Sequence, residues 1–289
     1  MVSILSIFVL IIFVKLVGSN KEEASAPNEI PTVSAEQLTF SFGPKKAFAD
    51  SQLDLSIQEK KRKAREKAQA KKRDEQRVAD QKAKAIYLTF DDGPSPEAGE
   101  LLDILDQYNA KATFFMLGPH IESHPKVVER MVEEGFGIGM HGMTHNLSDV
   151  YGSKEAPLNE MTEGQGILQE VTGIHTELVR LPYGSIPYLT EDMRQSLDQN
   201  KFSIWDWNVD SRDWELKDRR FIRHTIQEIQ SLEHAGEAPV VLLHDKPATI
   251  KYLPELLSYL QEEGYETKVL TNEMTALTFK CNERCYSIK

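Results

Sequence analysis

After Lys84 the sequence changes its hydrophobic period, and this alternation constrains the fold more than any other feature. Short runs rich in β-branched and aromatic residues are separated by stretches with helical spacing of apolar positions. The runs predict strands at Ile86–Phe90, Ala112–Leu117, Phe136–Met140, Leu178–Leu181, Phe202–Trp207, Val240–Leu243 and Tyr265–Leu270. Helical patterns lie between them. One occupies Pro96–Tyr108, with Ser95 as N-cap and Pro96 at the first helical position. Others are Pro125–Glu134, stopped by Gly135, Asn159–Val171, ending at Gly173, Glu191–Gln199, Asp218–Ala235, and Ile250–Glu263, ending at Gly264. Strands alternating with helices in this way imply an α/β domain with a mostly parallel sheet, open or closed into a barrel. Such sheets bind ligands beyond the C-terminal ends of their strands.

The segment before Lys84 has a different character. Val2–Val17 is a predominantly apolar run of 16 residues, short for a spanning helix and suited to a secretory signal or a signal anchor, so residues 1–19 are assigned to either. Either reading places the remainder outside the cytoplasm, secreted or anchored at the membrane through residues 2–17. Residues 20–50 are polar, with Pro27, Pro31 and Pro44, and read as a linker. Residues 51–84 are rich in strong helix formers and lack a sustained apolar seam, which predicts a basic helical stalk and not a coiled coil. Glu59–Lys84 holds 12 Lys/Arg against 5 Asp/Glu. This run is either a solvated face or a contact for anionic wall polymer or lipid headgroups. Ala85–Lys289 carries 18 basic and 34 acidic residues. An acidic globular part repels polyphosphate, which argues against a nucleic-acid partner. Only two cysteines are present, Cys281 and Cys285, either one small disulfide loop or two free thiols. They are too few for a zinc site built from cysteines alone.

The strand ends carry the chemistry. The first strand runs into Asp91-Asp92-Gly93, the third into His141 with His145 four residues on, and the fourth into Arg180-Leu181-Pro182-Tyr183. The fifth leads to Asp210-Ser211-Arg212-Asp213-Trp214, and the sixth ends in Leu242-Leu243-His244. Ionisable groups gathered at one end of apolar strands are expensive unless they pair or bind metal. His-x-x-x-His puts two imidazoles about one helical turn apart, where both reach one ion. One carboxylate completes an Asp/His/His set with open positions for water and substrate. With Asp92 on the metal, Asp91 stays available as a base. The same histidine spacing at His120 and His124 precedes Pro125 at a helix start and reads as surface or capping.

Taken in order, Thr89-Phe90-Asp91-Asp92-Gly93, His141-x-x-x-His145, Arg180-x-Pro182-Tyr183, Asp210-x-x-Asp213-Trp214 and Leu242-x-His244 resemble the five motifs of the polysaccharide deacetylases, carbohydrate esterase family four. The resemblance covers roughly residues 85–275 and implies a distorted seven-stranded (β/α) barrel over 85–277, followed by a tail at 278–289. It further implies metal-dependent removal of an N-acetyl group from a cell-wall polysaccharide. Asp92, His141 and His145 would hold a divalent metal, usually Zn2+, with Co2+, Mn2+ or Fe2+ as alternatives. Asp91 would be the general base, oriented by Arg180. His244 would be the general acid, held by Asp213. Tyr183 would offer its backbone N–H to the oxyanion, and Trp214 and Leu242 would wall the acetyl pocket. Asp92-Gly93-Pro94-Ser95-Pro96 is more similar to the members acting on peptidoglycan N-acetylglucosamine than to those acting on N-acetylmuramic acid. Chitin oligomers, xylan or an exopolysaccharide are the alternative substrates, and a non-catalytic glycan-binding module the alternative role. One departure is visible: the family usually has Ser or Thr after the first metal histidine, and this chain has Gly142. The missing hydroxyl bears on the rigidity of that loop, not on ligation.

Overall fold

The computed structural model describes residues 44–288, with side chains from Ile57 onward; the expected N-terminal apolar segment and most of the expected linker lie outside the described residues. A helix spans Pro44–Ala83, so it starts inside the stretch read as linker. Its Ala, Lys, Arg and Glu content favours that state. Exposed pairs one turn apart, such as Arg62 with Glu59 and Glu66, and Lys71 with Glu75, line its surface. Its last turns are bonded to the α/β domain. Asp80 is buried and accepts the Tyr87 hydroxyl at 2.8 Å, and the Gln76 side chain accepts the Thr275 N–H at 3.1 Å. Among the described residues, no helix is long and apolar enough to cross a membrane.

Eight strands make up the sheet: β1 Ala85–Asp91, β2 Ala112–Leu117, β3 Gly137–Gly142, β4 Leu178–Val179, β5 Ser203–Ile204, β6 Val209–Asp210, β7 Val240–His244 and β8 Glu266–Thr267. Seven form one curled path in the order β5-β4-β3-β2-β1-β7-β6, and β8 pairs with the first residues of β1. Every pairing is parallel. The result is a parallel half-barrel, the distorted (β/α) barrel expected.

The alternation of side chains along each strand sorts them between two cores. Ile86, Leu88 and Phe90 of β1, Phe114 and Met116 of β2, and Val241 and Leu243 of β7 pack under the helices in the larger cluster. Ala85, Tyr87, Phe115, Leu178, Trp205 and Val240 form a smaller cluster on the other face of the sheet. On that second face the strands turn polar towards their C-terminal ends: Thr89 and Asp91 follow Tyr87, Arg180 follows Leu178, and His244 follows Leu242. Strands covered on both faces read as nearly continuous apolar runs. The polar residues that interrupt them therefore mark where the second face opens.

Several boundaries differ from the sequence expectation. Only Ser203–Ile204 of the segment read as one strand at 202–207 pairs as β5, and Val209–Asp210 forms β6 after an irregular stretch. The helix expected from Pro96 begins at Ala98; Ser95 donates its N–H and hydroxyl to Asp245, both at 2.7 Å, while its Oγ accepts the Glu97 N–H at 3.1 Å as a capping side chain does. The short helices at Gly118–Ser123, Leu147–Tyr151 and Asp213–Leu216 are one or two turns long, too brief for a periodic signal.

Candidate active site

Arg180 organises the site. Its guanidinium is fully buried and spends its donors on four acceptors: Thr89 Oγ1 at 2.6 Å, Asp91 Oδ1 at 2.9 Å, and the carbonyls of Trp205 and Asp206, both at 3.1 Å. Its cationic carbon lies 4.3 Å from the centre of the Phe115 ring. A buried charge is tolerable only with such pairing. The pairing fixes Asp91, itself 3% exposed, with one oxygen committed to Arg180. The other oxygen lies 3.9 Å from His141 Nε2.

Asp92, His141 and His145 converge. Their ligand atoms all lie within 4.8 Å of one another, with Asp92 Oδ1 3.6 Å from His141 Nε2 and 3.4 Å from His145 Nε2. Two ligand atoms each about 2.1 Å from one tetrahedral ion lie about 3.4 Å apart, so the spacing suits a metal. Two further observations agree. Asp92 Oδ1 is buried with no hydrogen-bond partner among the described residues, a costly state unless a cation sits beside it. His141 Nδ1 donates to the Arg180 carbonyl at 2.7 Å, which leaves the Nε2 lone pair pointing at Asp92. Burial penalises both charges: it drives the His141 pKa down, favouring the neutral ligand form. For Asp92 neighbouring positive charge outweighs that penalty: His141, His244, Lys246 and His145, in their charged forms, hold its carboxyl down at about 2. The residues present fit a divalent metal, with positions left for water and substrate.

The two histidines do not meet across a helical turn, as their spacing alone implied. His141 is the next-to-last residue of β3, and His145 follows in a loop with a φ of 48°. Glu160 holds that loop. Its carboxylate accepts the N–H groups of Met143 and Thr144 at 2.6 and 2.9 Å and the Thr144 hydroxyl at 2.9 Å. Gly142 sits at a φ of 100°, and a Cβ there would approach Glu160 Oε2 to 2.9 Å. The hydroxyl missing at Gly142 is thus replaced by a carboxylate reaching in from the helix Ala156–Thr172.

A second carboxylate–histidine pair involves β7, where His244 lies in register with Asp91 of β1. Its Nδ1 donates to Asp213 Oδ1 at 2.8 Å, and its backbone N–H donates to Asp213 Oδ2, also at 2.8 Å. The Thr249 hydroxyl adds a third bond to that carboxylate at 2.6 Å. Burial opposes the imidazolium, but Asp213, together with Asp91 and Asp92, outweighs it and raises the His244 pKa. Asp213 is likewise opposed by burial, yet His244 and Thr249 hold it below the usual carboxylate range.

Tyr183 adopts a φ of 66°, and its half-exposed ring lies 4.8 Å from that of His145, with the hydroxyl donating to the His145 carbonyl at 2.9 Å. Leu242 is buried two residues before His244, and Trp214 follows Asp213 and is half-exposed. Of the second histidine pair, His120 donates from Nδ1 to the Asp92 carbonyl at 2.6 Å, bracing the turn behind the metal ligand. His124 occupies the N-cap position before Pro125 without capping through its side chain.

Sequence reasoning missed Glu160, Asp206, Asp245 and Lys246. The first three are buried carboxylates that receive loop N–H groups. Lys246 donates to Asp92 Oδ2 at 3.0 Å. Asp245, next to His244, was the most legible, since a charged residue there extends a motif already singled out. Glu160 lies in an ordinary helical pattern and carries no local signal.

The model of the polysaccharide deacetylase family matches residues 79–204. The chain is 42% identical over 193 residues to YheN of Bacillus subtilis, covering 66% of this chain and 68% of that protein. It is 39% identical over 193 residues to a peptidoglycan-N-acetylglucosamine deacetylase of Bacillus cereus, covering 66% of this chain and 70% of that protein. A polysaccharide deacetylase crystal structure from Bacillus cereus superposes with a TM-score of 0.63 at 36% identity, covering 69% of this chain and 98% of the other. Likeness in sequence and likeness in fold both run through the strands that bring the two carboxylates, the histidines and the arginine together, and on these grounds the chain belongs to the polysaccharide deacetylase family of metal-dependent hydrolases.

Proposed function

We propose that this chain removes the acetyl group from N-acetylglucosamine of peptidoglycan, with zinc as its metal. The observation that carries the reading is the convergence of the Asp92/His141/His145 cluster, the Asp91–Arg180 pair and the His244–Asp213 pair on one face of the sheet. The relative named for that substrate supports the choice of sugar.

When bound, the metal polarises the acetyl carbonyl and lowers the pKa of water towards about 7. Asp91 takes the proton of the attacking water, and Arg180 keeps its carboxylate aimed at the metal ligands. As the carbonyl becomes tetrahedral, the Tyr183 N–H donates to the developing oxyanion, a contribution of about 3–4 kcal/mol for a well-placed donor. The C–N bond then breaks. An amine leaves poorly unless protonated, and His244 delivers that proton from Nε2 while Nδ1 stays bonded to Asp213. Acetate and a glucosamine ammonium are the products. Leu242 and Trp214 wall the methyl group of the acetyl.

We further assign residues 1–19 as signal peptide or signal anchor, 20–43 as linker, 44–84 as stalk, 85–277 as catalytic domain and 278–289 as tail. This arrangement delivers the catalytic domain to the wall. The test is acetate release from purified peptidoglycan by the full chain, before and after chelation and zinc add-back. Release that disappears with chelator and returns with zinc is the expected result. A folded Asp91→Asn protein of undiminished activity refutes the mechanism. Release from chitin oligomers alone moves the substrate, and silence of the zinc-loaded protein on every glycan favours a binding module.

A further inference from the structure

The segment after β8 takes no part in the chemistry above, yet it is bonded to the loop that carries Tyr183. The bond runs through Asp206, which lies between β5 and β6 and is fully buried. Its carboxylate accepts the N–H and hydroxyl of Ser185 on one side, the former at 2.9 Å, and the N–H of Phe279 at 2.6 Å on the other. Its backbone N–H donates to the Leu277 carbonyl at 2.7 Å, and its carbonyl accepts Arg180 Nη2. One residue therefore touches the arginine that orients the base, the loop after Arg180, and the C-terminal segment.

Packing repeats the connection. The Phe279 ring meets Trp207 edge-on at 5.3 Å, and a Cβ at Gly184 would lie 3.0 Å from Trp207 and 3.6 Å from Phe279, so the loop backbone presses on that aromatic pair. Further along, the Tyr286 N–H donates to the Pro187 carbonyl at 2.9 Å. The Cys281–Cys285 disulfide closes the turn between these two attachments. The loop makes a single turn of its own, with the Gly184 N–H donating to the Leu181 carbonyl at 3.0 Å, and it holds Tyr183 and Gly184 at φ values of 66° and 82° in succession. A tyrosine in the left-handed region persists only where its surroundings dictate it. The surroundings here are the buried Tyr151 hydroxyl, which bonds to the Pro182 and Gly184 carbonyls at 2.7 and 3.0 Å, and Asp206 with the segment it grips, which hold the loop from Ser185 onward.

We propose that Asp206 is a positioning residue of the deacetylase site, and that Leu277–Tyr286 is the strap through which it fixes the Tyr183 backbone. The inference rests on the role given to the Tyr183 N–H under the proposed function. The test uses the full chain with Asp206→Asn, which turns an amide N–H2 towards loop donors, and with Phe279→Ala, which loosens the strap without touching a catalytic group. Three quantities are measured: amide hydrogen exchange of peptides covering 182–190, kcat and KM for acetate release, and zinc affinity by chelator competition. The expected result is exchange at least about tenfold faster in that loop, with kcat lower by about 10–100-fold, the scale of a misplaced oxyanion donor. KM and zinc affinity stay within about threefold; a general loosening would move both. Unchanged exchange in a folded variant overturns the strap. Faster exchange with unchanged kcat overturns the positioning role, while leaving acetate release by the parent intact. Should Asp206→Asn fail to fold, Phe279→Ala decides on the same readings. Should the parent release no acetate, the proposed function fails and the exchange arm still judges the strap.

Discussion

Replacing Asp213 by Asn is the most informative perturbation of the acid–base machinery. The carboxylate makes one bond to His244 Nδ1 and one to the His244 N–H, and accepts the Thr249 hydroxyl. An amide of the same shape keeps the volume but loses the charge. A hydrogen bond to a charged partner contributes about 1.5–3 kcal/mol. At about 1.4 kcal/mol per factor of ten, kcat should fall by about 10–150-fold. The pH profile gives the sharper reading. His244 has a raised pKa in the folded protein, so its acid form is present at low pH and lost as pH rises through that value. Without Asp213 the burial penalty stands with less opposition, so the alkaline limb of kcat should move to lower pH. Acetate release measured across pH, with thermal melting as the folding control, checks both. A folded Asp213→Asn protein with kcat within threefold of the parent and an unmoved alkaline limb would refute the assignment of His244 as the acid.

Arg180→Met strands a buried Asp91 carboxylate and leaves two carbonyls without their donor, which should destabilise the protein by about 3–5 kcal/mol in denaturant titrations and abolish acetate release. Glu160→Gln should weaken zinc binding by about 10–100-fold, read by chelator competition, with little change in far-UV circular dichroism, because it disturbs the loop that presents His145. Gly142→Ser restores the hydroxyl usual in the family, yet it should lower stability by about 1–3 kcal/mol, since the φ of 100° and the 2.9 Å approach to Glu160 leave no room for a side chain. A gain in melting temperature there would show that the loop has another conformation available.

The alternation of strands and helices, and the residues at the strand ends, were legible because both are local. A strand buried on two faces writes its apolar run directly into the sequence, and an acidic or basic residue at its end stands out against that run. Asp91, Asp92, His141, Arg180 and His244 were all found in this way. The same locality explains the errors. The helix expected from Pro96 starts at Ala98, after a Ser95 that Asp245, 150 residues away, also holds by its N–H and hydroxyl. The His141–His145 spacing suggests a helical face, but the sheet ends in a loop there instead.

The sequence by itself determined which residues lie at the mouths of the strands, because periodicity and composition are properties of neighbours. Only the tertiary structure decided how those residues are held. Glu160 under the metal loop, Asp206 between the Tyr183 loop and the C-terminal segment, and Arg180 bonded to acceptors on β1 and on the irregular stretch after β5 are contacts between positions far apart in the chain. Each follows from burying a charge where water cannot reach it, so that the nearest loop N–H or opposite charge must serve in its place. Which group is nearest is set by the curl of the sheet, and that is written in no single stretch of the sequence.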